Sequence, residues 1–286
     1  MVPAKGRLAV IAGYGRLPQH IAAAARAAGE DPFIFALAGE SDQDWSAYEH
    51  VEIAISDIAR FSAGARRLGI DRVVLSGGVR RRPRFGEIRP TWRSLRSLPE
   101  VFRALKGYGD DRMLRVAISM LEEEGVRVVG AHEIAPDILA TPGPVGRHRP
   151  KEADRADIAA GMEAALALGR LDIGQGVISV GGRVVALEGL EGTDEMLARV
   201  AGLRAAGRLR PGPSGVLVKM CKPSQDMRAD LPSIGPATVQ GALKAGLSGI
   251  AVETGRSLVL DRQELIEAAD RAGIFVHGIE PEDVRP

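Results

Sequence analysis

The chain has 286 residues, 45% of them hydrophobic and 4% aromatic, and a formal net charge of +1. That length holds one large domain or two ordinary ones, with a core that needs no covalent staples. Few aromatics and near-zero net charge argue against a stacking platform for nucleic acid, so none is expected as a partner. Cys221 is the single cysteine, which rules out an internal disulfide and fits a reducing, cytoplasmic setting. No signal-peptide pattern opens the chain, and no apolar run approaches the roughly 20 residues of a membrane span. Membrane association is therefore expected to be peripheral.

The first half alternates short apolar runs with helical patterns. Strands are expected at Leu8–Ala12, Pro32–Leu37, Val51–Ile55, Arg72–Leu75 and Val126–Val129. Helices are expected at Pro18–Ala28, Ile58–Leu68, Ser94–Lys106 and Arg112–Glu124. This rhythm implies a Rossmann-like, doubly wound parallel sheet, assigned to residues 1–140. Pro18 suits a first helical turn and Gly29 a helix end.

The stretch Thr141–Ile158 carries three prolines and several charges. It reads as a linker over 141–155 leading into a helix near Lys151–Leu168. A second, mixed α/β domain over 156–286 follows. "GVISVGGRVVALE" is two β runs around Gly181-Gly182, a hairpin signal. Helix Asp194–Ala206, strand Gly215–Met220, helix Ala237–Ala245, strand Gly249–Val252, a short run Ser257–Leu260, helix Arg262–Ala272 and strand Ile274–His277 complete it.

"AGYGRLPQ" joins the first strand to the first helix. Gly13 and Gly15 let backbone approach a ligand closely, and the helix start favours an anion. A nicotinamide fingerprint would add a third glycine, where Pro18 stands, and an acid about 20 residues on. The nearest acid to the end of the second strand is Glu40, already in a loop. An ordinary tight turn, a phosphate or nucleotide contact and a nicotinamide site all stay open. Gly77, in a second glycine turn, also ends a strand, where doubly wound sheets bind ligands.

Val79–Lys106 holds nine Arg/Lys (Arg80, Arg81, Arg82, Arg84, Arg89, Arg93, Arg96, Arg103 and Lys106) against Glu87 and Glu100. It reads as a solvated basic face, an arginine fork for phosphate, or a dock for an anionic membrane.

The densest polar grouping is "VLVKMCKPSQDMRADLPSIGPATV". A strand ends at Lys219, and Lys222, Gln225, Asp226, Arg228 and Asp230 follow. Lysines and an arginine neutralise phosphate oxygens, while carboxylates hold a divalent metal or take a proton from water. Gly235 and Thr238 open the next helix, whose start adds anion donors. In "EGLEGTDEMLARV", Thr193 and Asp194 either cap a helix or, with Glu191, face the same ligand. Asp172-Ile-Gly-Gln175 is a turn or part of a site, and Glu253 a site carboxylate or a salt-bridge partner. The five histidines show no metal spacing, no nucleophile elbow or phosphate-loop motif occurs, and Cys221 reads as incidental.

"AGYGRLP", "GGVRRRP", "GDDRMLR", "DIGQGVISVGGRVVALEGLEGTDEML", "VLVKMCKPSQDMRADLPSIGPATV" and "AGLSGIAVETG" together resemble the bacterial UDP-2,3-diacylglucosamine pyrophosphatases unrelated to calcineurin-like phosphoesterases. The resemblance covers nearly the whole chain. Gly78 departs from it, since a larger, often basic residue is expected there. The resemblance implies a lipid A biosynthesis enzyme that splits UDP-2,3-diacylglucosamine with water and Mg²⁺ into UMP and 2,3-diacylglucosamine 1-phosphate. It implies two domains with the substrate between them, and a motif aspartate at Asp226. On that basis Asp226, Lys219, Lys222 and Arg228 are the expected catalytic residues. Gly13, Gly15, Gly77, Gln175, Thr193, Gln225, Gly235 and Thr238 are expected to bind substrate. Asp226, Asp194 and Glu191 are expected to hold metal. Expected partners are the UDP-linked diacylated lipid and the anionic inner-membrane face. A homo-oligomer, a nicotinamide oxidoreductase and a non-catalytic UDP-sugar-binding protein stay open.

Overall fold

A computed structural model describes residues 6–80, 91–92, 110–223, 225–228 and 231–281. The chain divides into two compact units, Met1–Asp137 with Asp226–Asp230, and Ile138–Gln225 with Leu231–Pro286. The helix expected at Ser94–Lys106 lies outside the described residues, as does the arginine stripe apart from Arg80.

The first unit contains β1 (Arg7–Ala12), α1 (Leu17–Ala27), β2 (Phe33–Leu37), β3 (His50–Ile53), α2 (Ile58–Leu68), β4 (Ile70–Ser76), α3 (Asp110–Glu123) and β5 (Arg127–Val129). A short helix, Ala131–Ile134, and a 3₁₀ turn, Pro136–Ile138, follow. The five strands pair in parallel in the order β3-β2-β1-β4-β5. All five residues of β2 are buried, because helices cover both faces of such a sheet. Phe35 packs between Phe33 and Phe61, with ring centroids 4.9 and 5.0 Å away. Asp57 caps α2 by accepting from the Arg60 amide at 3.0 Å, and Gly69 ends it in the left-handed region. This is the expected doubly wound sheet, with strand boundaries shifted by one or two residues.

The second unit contains β6 (Gly143–Pro144), α5 (Glu152–Arg170), β7 (Gly176–Val180), β8 (Arg183–Leu187), α6 (Gly192–Ala205) and β9 (Val216–Lys219). It continues with β10 (Ser233–Ile234), α7 (Pro236–Lys244), β11 (Gly249–Glu253), β12 (Leu258–Val259), α8 (Arg262–Ala272) and β13 (Phe275–Ile279). The short helix Ala131–Ile134 is α4. Six strands form a mixed sheet in the order β6-β13-β11-β9-β7-β8, and β10 pairs with β12 apart from it. β9, β11 and β13 are parallel, β7 pairs antiparallel with β9, and β8 returns antiparallel to β7 in a hairpin. Its turn takes Gly181 and Gly182 at φ 66° and 76°, as a primed turn requires.

Strand alternation sorts the core into two layers. Leu217, Ile250, Val252 and Val276 face Leu197, Val239 and Leu265 of α6, α7 and α8. Val216, Val218 and Ala251 face Ile158, Met162 and Ala165 of α5. A Cβ at Gly161 would lie 2.4 Å from Val218 Cγ2, so the glycine lets α5 sit close on β9.

The stretch 141–155, expected as a linker, makes contacts with the second unit. Gly143 and Pro144 pair with Gly278 and His277 as an edge strand, and the Arg147 amide donates to Asp270 Oδ1 at 2.8 Å. Proline is tolerated on such an edge. The polar loop after β9, expected wholly in the second domain, divides between the units at Gln225/Asp226 and at Asp230/Leu231.

Candidate active site

In the first unit the two glycine turns close on each other. The Tyr14 amide donates to Gly78 O at 2.9 Å, the Gly78 amide returns to Tyr14 O at 3.0 Å, and the Gly13 amide donates to Ser76 O at 2.8 Å. A Cβ at Gly13 would lie 2.2 Å from Gly78 O, and one at Gly77, where φ is +83°, 2.7 Å from Tyr14 O. Bare backbone is required by this approach. The Gly15 amide donates to Asp42 Oδ1 at 2.9 Å. The Gly13 and Gly15 amides thus both donate within the chain. Gly77 likewise serves loop-on-loop packing, against Pro18. Asp42 lies in the loop after β2, two residues beyond Glu40. Buried Glu40 instead accepts from the Arg80 amide at 2.8 Å.

In the second unit, strand period 2 decides what Lys219 meets. Leu217 faces α6 and α7, so Lys219 at the end of β9 faces the same side. Lys219 is 5% exposed. Nζ donates to Thr193 Oγ1 at 3.0 Å and to Ser233 O at 3.1 Å. Thr193 in turn donates to Glu188 Oε1 at 2.6 Å, and the Gln175 amide donates to Glu188 Oε2 at 3.3 Å. Thr193 therefore does not cap α6. Its hydroxyl links a buried carboxylate to a buried ammonium, which satisfies both. An ammonium has three donors, and two of them have acceptors among the described residues. Gln175 Oε1 is buried without a hydrogen-bond partner among the described residues.

Several of the expected substrate residues also make contacts within the chain. Gln225 Oε1 accepts from the Lys222 amide at 3.0 Å and from Cys221 Sγ at 3.3 Å. Thr238 Oγ1 accepts from the Gly235 amide at 3.2 Å, a cap for α7. These contacts give Gln225, Gly235 and Thr238 structural roles. Glu253 is buried, accepts from the Cys221 amide at 2.8 Å and lies 3.3 Å from Arg256 Nη1. Lys222 Nζ meets Asp172 Oδ1 at 2.6 Å, and Asp172 adopts φ 53°, an uncommon conformation for a non-glycine residue.

Asp226 belongs to the first unit. Its Oδ1 accepts from the Arg228 amide and from Nε, both at 3.0 Å, and its Oδ2 from Nη2 at 2.7 Å. Arg228 Nη1 also meets Glu122 Oε1 at 2.8 Å. The hydrogen bonds from Arg228 hold the Asp226 carboxyl below the usual carboxylate range, and the pair raises the guanidinium in return. Asp226 is thus ionised throughout the neutral range.

Of the carboxylates expected to help Asp226 hold a metal, Glu191 pairs with Arg199 at 2.7 Å and Asp194 is exposed in the first turn of α6. Among the described residues no group of three or more His, Cys, Asp or Glu side chains converges as a metal cage. A smaller demand is met: Mg²⁺ bound with substrate phosphates needs one or two carboxylates, and ionised Asp226 fits that chemistry.

Sequence reasoning missed Glu188, Asp42 and Glu122. Glu188 ends the apolar run "VVALE", a signal that a strand delivers it to the sheet end. Asp42 sits in the acid-rich "GESDQD" after β2. Glu122 is one of three consecutive glutamates, and nothing local distinguishes it.

A Rossmann-type parallel sheet joined to a mixed sheet with a buried lysine at a strand end defines a two-unit α/β protein. The LpxI N-terminal domain model matches residues 7–138 and the LpxI C-terminal domain model residues 141–277. The UDP-2,3-diacylglucosamine pyrophosphatase LpxI of Caulobacter vibrioides is 40% identical over 278 residues, covering 97% of this chain and 99% of that protein. The chain belongs to the LpxI family. A crystal structure of isoflavone reductase aligns over 98% of this chain and 80% of that one, at 10% identity and a TM-score of 0.29, too slight a likeness to bear on function.

Proposed function

We propose that the chain hydrolyses the pyrophosphate bond of UDP-2,3-diacylglucosamine in lipid A biosynthesis, giving UMP and 2,3-diacylglucosamine 1-phosphate with Mg²⁺. It is a hydrolase acting on a phosphorus anhydride. The observation that carries this reading is the 40% identity to a relative of that name across 97% of the chain. The polar strand-end chemistry supports it, because cleaving a diphosphate calls for charge neutralisation more than for covalent chemistry.

Lys219 holds a phosphate oxygen with its remaining N–H, fixed in place by Thr193 and Ser233. Lys222 gives a second positive charge when the diphosphate draws it from Asp172. Gln175 Oε1 accepts from a substrate hydroxyl or amide. Asp226 is a weak base because Arg228 depresses its pKa, whereas an efficient general base has a pKa near the working pH. Its role is therefore to hold cationic charge and orient the incoming water. Mg²⁺, when bound, supplies charge on the phosphate oxygens, and Asp226 is the residue that would hold it. Arg228 and Glu122 keep Asp226 oriented.

The test is UMP release from UDP-2,3-diacylglucosamine by the full chain, with Mg²⁺ and with EDTA. Release that needs the cation is expected, and no release in either condition overturns the reading. Water labelled with ¹⁸O shows which product gains the oxygen. Among the described residues no helix is long and apolar enough to cross a membrane. Peripheral binding to the anionic cytoplasmic face is proposed on the basic run Val79–Lys106. Failure of anionic vesicles to retain the chain at low salt overturns it.

A further inference from the structure

The first unit carries a second recognition feature, at the carboxyl ends of β1, β2 and β4. With the order β3-β2-β1-β4-β5, the direction of winding reverses between β1 and β4. Nucleotides bind in the crevice outside the strand ends at such a reversal. Three loops meet there: Gly13–Gly15 after β1, Gly77–Arg80 after β4, and the acidic loop after β2. Tyr14 is 36% exposed, and the Arg80 guanidinium carbon lies 4.1 Å from its ring centroid. The Arg80 backbone is pinned by Glu40 at 2.8 Å.

Beside this stack stands Asp42, exposed at the surface. Its Oδ1 accepts from the Gly15 amide and from Gln43 Nε2, both at 2.9 Å. The hydrogen bonds from Gln43 and Gly15 lower its pKa, so it is charged at neutral pH. A carboxylate thus covers the amide that a dinucleotide site of this fold offers to pyrophosphate. A second anion at that amide meets like-charge repulsion. Neutral hydroxyl donors do not, and the exposed carboxylate is an acceptor for them.

We propose that Asp42 accepts hydrogen bonds from the ribose hydroxyls of a nucleoside diphosphate in this crevice, making the chain selective for ribonucleotides. The diphosphate is displaced from the glycine turn, and Arg80 on Tyr14 is the cation that faces it. This rests on the proposed function, in which the nucleotide is UDP.

The experiment compares kcat/KM for UDP-2,3-diacylglucosamine and its 2′-deoxyuridine analogue, and titrates UDP against 2′-deoxyuridine diphosphate by calorimetry. Wild type is expected to favour the ribonucleotide by roughly ten- to a hundredfold, the range of a hydrogen bond to a charged acceptor. In Asp42→Ala the preference is expected to fall to within about twofold, as an unreadable hydroxyl implies. Asp42→Asn keeps an acceptor for the Gly15 amide and is expected to fall between them. It also serves if the alanine variant does not fold. A residue that only holds the turn would change both substrates alike and leave the ratio untouched. Equal handling of both sugars by wild type, or a ratio that survives in the Asp42 variants, overturns the inference and leaves the proposed function standing. No hydrolysis of either substrate removes both.

Discussion

Replacing Thr193 by Val deletes one hydroxyl and keeps the side chain's shape. The hydroxyl is both an acceptor for Lys219 at 3.0 Å and a donor to Glu188 at 2.6 Å. Lys219 and Glu188 are 5% and 7% exposed, so water replaces neither contact fully. Each lost hydrogen bond to a charged group is worth about 1.5–3 kcal/mol. With partial recovery through Ser233 and Gln175, a net loss of about 3 kcal/mol is expected. A helix cap alone would cost about 1 kcal/mol. Urea unfolding of the second unit, followed by a probe placed there, distinguishes the two. A freed Lys219 also swings off its phosphate oxygen, so kcat is expected to fall by roughly 10- to 100-fold, within the range for a lost electrostatic donor. Lys219→Met and Thr193→Val combined should couple by about 1 kcal/mol or more, because they share one network. A loss near 1 kcal/mol with unchanged kcat, or strict additivity with Lys219→Met, would refute the network.

Three further outcomes are expected. Asp226→Ala should lower kcat by about a thousandfold or more, with little change in substrate binding measured by calorimetry, since its charge acts on the transition state. Asp226→Asn removes a carboxyl whose folded pKa is depressed. The pair's contribution is complete above an ordinary aspartate pKa of about 3.9 and fades as pH falls through the lower folded value. The variant should therefore be less stable at pH 7 by about 1 kcal/mol, allowing for solvent screening. Its melting temperature should converge on that of wild type near pH 2, by differential scanning calorimetry; a gap that persists in acid would contradict the ion pair. Gly77→Ala forces a Cβ to within 2.7 Å of Tyr14 O at positive φ, whereas Gly29→Ala at φ +82° meets nothing within 4 Å. The backbone strain is common to both, so the first should cost roughly 1–3 kcal/mol more than the second through its steric clash, measured by urea unfolding.

The local code was legible because it depends on neighbours along the chain. The continuous apolar run in β2, Asp57 and Gly69 bounding α2, and Gly181-Gly182 in the hairpin each act within a few residues. α2 and α8 were read to the residue. Short pieces such as β6 and β10 were not, because two residues carry no periodicity and form only against a distant strand.

The chemistry divides the same way. Composition and spacing determined that the loop after β9 is rich in cations and carboxylates, and that two glycine turns end strands of one sheet. Only the tertiary structure decided which partner each group has. Lys219 meets Thr193 and Glu188 because strand alternation turns it toward the start of α6. Gly15 meets Asp42 across 27 residues of chain. Asp226 folds with the first unit although the sequence places it amid the second. Hydrogen bonds and charges act over about 3 Å of space, whatever the distance in sequence.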